Sequence, residues 1–483
     1  MFSIGRRVKR LRSETTCRQV TLNKFYWQLS LAKLFEPELF YSARLSALAI
    51  LRGSFALLST HCNFPQDFFI QRRLFFMERK WWLVIFGCIT HAVNTGFCYF
   101  GMSAFFPSIE REFGWSRTAI SGAFSLARIE SGLLGPIEGY FVDRVGPRRI
   151  MYIGIVICVL GFVSLSFVDS LPMLYVSIVL GIVLGSSLGY HMPISLLIAK
   201  IFHQRRSFAF GVFRMGPGLS GAIVPLVGAM IVWWGWRTAA VLSGGMLLIA
   251  GLPIAYVINR IAQAEERDQE LAAAADIGAH APAHRSLDPQ FTLKEVLRLK
   301  AFWFLSIAMA LRHMVTEGVS VHFVILLVDR GWSTEAASSL LGVSALIGAP
   351  TRIGMGWLGD MADKRKLIIG LLAALSFSVF LMGYTAVAVV FTPCMIIYSL
   401  AYGGLASLQE PIRADYFGTK SFATIQGVSR TVTTVGTFMG PILAGYLFDV
   451  THSYTIAFGI FAGVSLLSML LMFLATPPAA QNK

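Results

Sequence analysis

The chain has 483 residues, 55% hydrophobic and only 14% charged, with a mean hydropathy of +0.64. Soluble domains carry about 25% charged residues, so this composition excludes an ordinary soluble protein and points to lipid. The net charge of +15 does not indicate nucleic acid, because no basic stripe with interleaved aromatics runs along any soluble element.

Residues 1–76 differ from everything after them. They carry twelve Lys and Arg against four Asp and Glu, and no clean apolar run of spanning length. The following Met77-Glu78-Arg79-Lys80-Trp81-Trp82 reads as a start: a short charged head, an interfacial tryptophan pair, then a helix. On that reading Met77 is the first residue; the alternative is a basic targeting or membrane-surface extension.

Twelve apolar runs follow, each near the ~20 residues that a spanning helix needs. They lie at 82–106, 118–141, 150–168, 172–198, 208–233 and 238–258, then at 301–328, 333–358, 367–390, 391–410, 421–447 and 454–476. The expected fold is an all-α polytopic membrane protein with six-helix halves at 77–258 and 301–483. Between them, 259–300 is too polar to span and reads as a linker ending in the amphipathic piece FTLKEVLRLK. Lys and Arg collect on one side, at Arg79, Lys80, Arg144, Arg148, Arg149, Lys200, Arg205, Arg206, Lys364, Arg365, Lys366, Arg413 and Lys420. The positive-inside rule makes that side, with both termini and the linker, cytoplasmic. The six cysteines show no CxxC or metal spacing and imply no disulfide framework.

The halves are repeats. Gly114-Trp115-Ser116 returns 217 residues later as Gly331-Trp332-Ser333, and Gly139, Asp143, Arg148 and Arg149 return as Gly356, Asp360, Arg365 and Lys366. At an offset of 216, Gly211, Val212, Arg214 and Pro225 return as Gly427, Val428, Arg430 and Pro441. An even number of spans per half makes these parallel repeats, with a substrate site expected between them near mid-membrane.

Charges inside a bilayer are costly and mark function. The third, sixth, ninth and twelfth spans contain no Asp, Glu, Lys, Arg or His, so they read as lipid-facing supports. The intramembrane charges are Arg128 and Glu130 in the second span, Arg214 in the fifth, Arg312 and Glu317 in the seventh, Arg352 in the eighth and Arg430 in the eleventh. At 100° per residue, Arg128 shares a stripe with Gly132, Gly135 and Gly139, and Arg352 with Ala345, Gly348, Gly356 and Gly359. Stripes of small residues let helices approach closely, which turns both arginines toward protein. These five arginines are the candidate substrate-binding residues, with Arg352 foremost; for Arg128 and Arg214, bridging of helices competes with that role. Glu130, Glu317 and His313 are the proton-coupling candidates, although His313 and Glu317, four apart, equally suit a structural hydrogen bond. His91 and His191 read as helix-contact residues. No Walker A sequence or metal-ligand cluster occurs, so neither ATP nor a cofactor is expected.

The stretch Gly139-Tyr-Phe-Val-Asp143-Arg144-Val-Gly146-Pro147-Arg148-Arg149, with its weaker copy at Gly356–Lys366, resembles the loop signature of the major facilitator superfamily. The likeness covers about Met77 to Thr476. It implies that Gly139, Asp143, Arg144 and Arg148, with Gly356, Asp360 and Arg365, latch the halves in one of two alternating states. Within that superfamily, FFPSIEREFGWSRTAISGAFSL (105–126) resembles the monocarboxylate porters and oxalate:formate antiporters. The resemblance gives Arg352, in APTRIGMGWLGD, the role of carboxylate anchor. Eukaryotic monocarboxylate porters carry Asp four residues before this arginine, where this chain has Gly348, and a Lys in the first helix, where it has none. Arg430 stands where the antiporters use a second basic residue in the eleventh helix.

The function expected is alternating-access transport of a small organic anion, a mono- or dicarboxylate, across the plasma (inner) membrane by proton symport or exchange. One rival is drug or cation efflux, prompted by Gly216-Pro217-Gly218 and Gly221; another is a non-transporting sensor of the same fold. No enzyme constellation is present. Partners are the anion, protons and the bilayer, without nucleic acid, and the sequence leaves the oligomeric state open.

Overall fold

Each repeated Gly-Trp-Ser is a joint between two helices. Gly114 (φ 63°) and Gly331 (φ 88°) take the left-handed conformation that ends the first helix of each half. Ser116 Oγ and Ser333 Oγ then accept the N–H of Ala119 and Ala336, both at 3.2 Å, and cap the next helix.

The computed structural model describes residues 78–278, 289–385 and 387–478; the expectations for 1–76 fall outside them. Helix α1 runs through Arg79–Thr95, a π-helical turn at Gly96–Phe100 and Met102–Phe113. Helix α2 is Arg117–Leu133 continued by Gly135–Val145, α3 is Pro147–Ser166 and α4 is Leu171–Ile201. Helix α5 begins as Arg206–Leu219 and ends at Gly235, whose φ of 78° turns the chain into α6, 236–278. A one-turn helix, Leu293–Val296, precedes α7, Lys300–Asp329. Then come α8 (Thr334–Met361), α9 (Lys364–Tyr384), α10 (Ala388–Phe417), α11 (Phe422–Thr451) and α12 (Tyr454–Leu474). Among the described residues there are thus twelve spanning helices and no strand.

Several boundaries differ from expectation. Helix α9 ends at Tyr384 and α10 starts at Ala388, rather than the two meeting at 390/391, and the flanking Thr385 and Val387 are extended. Helix α6 continues to Gly278, twenty residues past its expected end. Its polar extension is rich in good helix formers and is held from the side: Glu265 and Asp268 accept from Arg79 at 3.0 and 2.7 Å, and Glu266 pairs with Arg148.

Each half has its own apolar core. Helices α3 and α6 pack on one another, as do α9 and α12. Their outward faces carry exposed Ile153, Leu160, Phe377, Leu467 and Phe473, the surface that lipid covers. The halves meet through α2 on α11 and α5 on α8. At these crossings glycine is required: a Cβ on Gly139 would overlap the carbonyl of Ala423, and one on Gly356 the carbonyl of Ser207. The two contacts are related by the sequence repeat.

Candidate functional site

The basic face is closed by a pair of repeat-related caps. Asp143, at the end of α2, accepts from the N–H of Ala423 (3.3 Å), the N–H of Thr424 (2.8 Å) and the hydroxyl of Thr424 (2.6 Å) at the start of α11. Asp360, at the end of α8, accepts from the N–H of Ser207 (2.7 Å) and Phe208 (2.9 Å) at the start of α5. A carboxylate against the free N–H groups of a helix start satisfies donors and complements the helix dipole. Each half therefore caps a helix of the other. Arg206 and Lys364 converge on Asp415 at 2.8 and 2.6 Å and add a second tie across the mouth.

The basic residues of the signature act elsewhere. Arg144 donates to Tyr140 on its own helix, Arg148 pairs with Glu266 of α6, and Arg365 donates to the carbonyls of Met472 and Phe473 in α12. These partners lie within each arginine's own half, so among the signature residues the described contacts between halves are made by the aspartates and glycines. The resemblance implies a latching role for these arginines, and their contacts among the described residues stay within one half.

Deeper between the halves lies a polar centre. Glu410 of α10 is fully buried; its Oε1 accepts from Arg214 of α5 and, at 2.5 Å, from Gln426 of α11, and His191 Nε2 stands 3.8 Å away. Arg352 Nη1 donates to the Arg214 carbonyl at 3.2 Å, and its guanidinium lies 6.0 Å from the centre of the Tyr402 ring. Arg312, only 2% exposed, lies 5.5 Å from the same ring and donates to the Tyr402 carbonyl at 3.3 Å. Neither Arg312 nor Arg352 has an ion-pair partner among the described residues, and the Nε of each is buried without a hydrogen-bond acceptor there. On the other arm Arg430 Nη1 donates to Ser187 Oγ at 3.3 Å, and Ser187 donates to buried Glu138 at 2.5 Å.

Of the residues singled out from sequence, Arg214, Arg312 and Arg352 come together around Tyr402 and Glu410, while Arg430 joins Glu138. The side chain of Arg128 lies outside the described residues. Glu130 is buried beside Glu138 on α2. His313 bonds Arg312 at 3.1 Å, and no described hydrogen bond joins it to Glu317. Sequence reasoning passed over Glu138, Glu410, Gln426 and Tyr402, and read His191 as a helix contact. Glu138 was findable as an acid inside the second span. Glu410 looked like a loop residue because the tenth span was placed to end on it, whereas α10 runs to Phe417.

A break in α2 shows how the halves engage. Pro136 has no N–H to offer the Gly132 carbonyl, and Thr431 of α11 donates to that carbonyl instead.

The family model described as Major Facilitator Superfamily matches residues 88–436. The chain belongs to that superfamily. It is a membrane transporter and not an enzyme. Among relatives, rat monocarboxylate transporter 4 is 28% identical over 410 residues, covering 81% of this chain and 82% of that protein. Rat monocarboxylate transporter 13 is 26% identical over 393 residues, covering 80% and 86%. In fold the chain is similar to the human organic anion transporter MFSD10 (TM-score 0.62, 15% identity, 82% of this chain and 100% of that one). It is equally similar to the proton:xylose symporter XylE (TM-score 0.62, 15% identity, 82% and 95%).

Proposed function

We propose that the protein carries a small organic anion, a monocarboxylate in the first place, by alternating access, with Arg352 as the carboxylate anchor. The observation that carries this is the state of Arg352 and Arg312. Two guanidiniums stand at one tyrosine ring between the halves, held by backbone carbonyls and without a carboxylate partner among the described residues. A buried cation of this kind is compensated by an anionic ligand, and a guanidinium matches a carboxylate with two parallel hydrogen bonds. The relatives point the same way by their names.

The basic face is the cytoplasmic one on the positive-inside rule, which makes this conformation the one closed to the cytoplasm. Opening that mouth requires Asp143 and Asp360 to release α11 and α5, so both aspartates set the balance between two states rather than touch the ligand. The membrane is the plasma (inner) membrane, and coupling is by proton symport or anion exchange.

The test is uptake into proteoliposomes of labelled L-lactate and of oxalate, with choline as the cationic control. Saturable lactate uptake that is lost in Arg352→Ala supports the reading. Choline uptake without lactate or oxalate uptake overturns it in favour of cation efflux.

A further inference from the structure

We propose that Glu410 carries the coupling proton, exchanging its ion pair with Arg214 for a proton when the basic mouth opens. The opening step rests on geometry alone; only what then occupies Arg214 rests on the anion reading above.

Glu410 is a cross-half carboxylate. Arg214 and His191, its partners from α5 and α4, belong to the first half, while Glu410 and Gln426 belong to the second. All the bonds described for it converge on Oε1, and Oε2 is buried without a hydrogen-bond partner among the described residues. The pair is whole only while α5 lies on α8, where Gly211 sits against the Arg352 carbonyl. Separating the halves at this mouth divides the pair.

Dividing a buried pair leaves two uncompensated charges, which is strongly unfavourable. The carboxylate is compensated when a proton from bulk water forms an O–H bond on Glu410. The guanidinium of Arg214 is compensated when an anion approaches it. One proton and one anionic charge enter together, no electron moves, and the open cavity carries the same net charge as the closed one. Pairing and protonation compete for one carboxylate, so acid favours the open mouth.

The groups facing Glu410 leave it as the acid in this cluster. They are Arg214 from α5, His191 from α4 with the His91 ring of α1 5.3 Å behind it, uncharged Gln426 from α11, and Arg413 on its own helix. His313 of α7 stands beyond, near Arg413 and Gln409. Five other acids lie within reach of the gate: Asp143, Asp360 and Asp415 at the rim, and Glu138 with Glu130 on the Arg430 arm.

Hydrogen exchange reads the gate directly, with no substrate added. The N–H groups of Ser207, Phe208, Ala423 and Thr424 are bonded by the rim aspartates of the opposite half, so their peptides report closure. After correction for the intrinsic pH dependence of exchange, protection in the native protein should fall about tenfold between about pH 8 and about pH 5.5. In Glu410→Gln it should be low throughout, with less than about a twofold pH effect. Arg214→Gln should be poorly protected at about pH 8 and should lose the native fall toward acid, because no guanidinium then competes with the proton for the carboxylate. A native protein whose protection does not change with pH overturns the proposal, whether or not the variant folds. So does a folded Glu410→Gln that keeps the native pH dependence, which assigns the proton to the rim aspartates or to Glu138 and Glu130. Failure of lactate uptake leaves these outcomes unchanged, so the two readings fail separately.

Discussion

The rim and the centre of the interface are built from the same repeat and have diverged differently. At the rim the halves are near copies: Asp143 caps α11 as Asp360 caps α5, and Gly139 meets Ala423 as Gly356 meets Ser207. At the centre the copies part. Arg214 pairs directly with Glu410, whereas its counterpart Arg430 reaches Glu138 only through Ser187. The position equivalent to Arg352 in the first half is Gly135, packed against Gly427. On the proposed function, closing the mouth is a task both halves perform alike, while holding one ligand off the pseudo-twofold axis is not. Symmetry at the rim thus marks the mechanics, and its loss at the centre marks the chemistry.

Bulk at the repeated glycines should give the largest effect. Gly139→Leu and Gly356→Leu each push a side chain into backbone of the opposite half. Overpacking costs about 1–3 kcal/mol, so closure should weaken by up to about a hundredfold, with flux nearly lost and anion affinity retained. If either variant transports normally, the rim contacts are not the gate.

Arg352→Ala comes next. The fold should persist and carboxylate affinity should fall at least about tenfold, with Arg352→Lys recovering part, because an ammonium keeps charge but loses the planar fork. Arg312→Ala should resemble it only for a ligand with a second carboxylate. Normal binding by a folded Arg352→Ala, measured alongside size-exclusion chromatography, would make the arginine structural.

Asp143→Asn and Asp360→Asn test the symmetry itself. A carboxylate at a helix start contributes about 0.3–1 kcal/mol through the dipole, so each should slow transport by a few-fold and leave binding intact. The two effects should agree with each other. A severe defect in one and none in the other breaks the equivalence of the halves at the rim.

The smallest effect is expected at Arg148→Gln. Its pairing with Glu266 is partly exposed, and such pairs contribute about 0–1 kcal/mol. Flux and Tm should stay near native values. A large loss would show that the α6 extension restrains the gate.

The sequence by itself determined the helices, their number and the repeat. Apolar runs of spanning length, interrupted by Gly-Trp-Ser joints, admit little else in a bilayer, where backbone groups must be satisfied within each segment. It also determined which residues were costly enough to matter, because Arg214, Arg312, Arg352 and Arg430 stand out in lipid-facing composition. It did not determine their partners. A guanidinium is long enough to bridge helices, bind ligand or pair with an acid, and the choice depends on what the facing helix presents at that depth. Only the tertiary structure brought Arg214 of one half onto Glu410 of the other, 196 residues away. Only it left Arg352 and Arg312 at Tyr402 with carbonyls for company. It likewise withdrew Arg144, Arg148 and Arg365 from the crossing between halves. Helix formation is local and periodic, so it is written in the order of residues; charge pairing between helices is set by the angle and depth at which they cross.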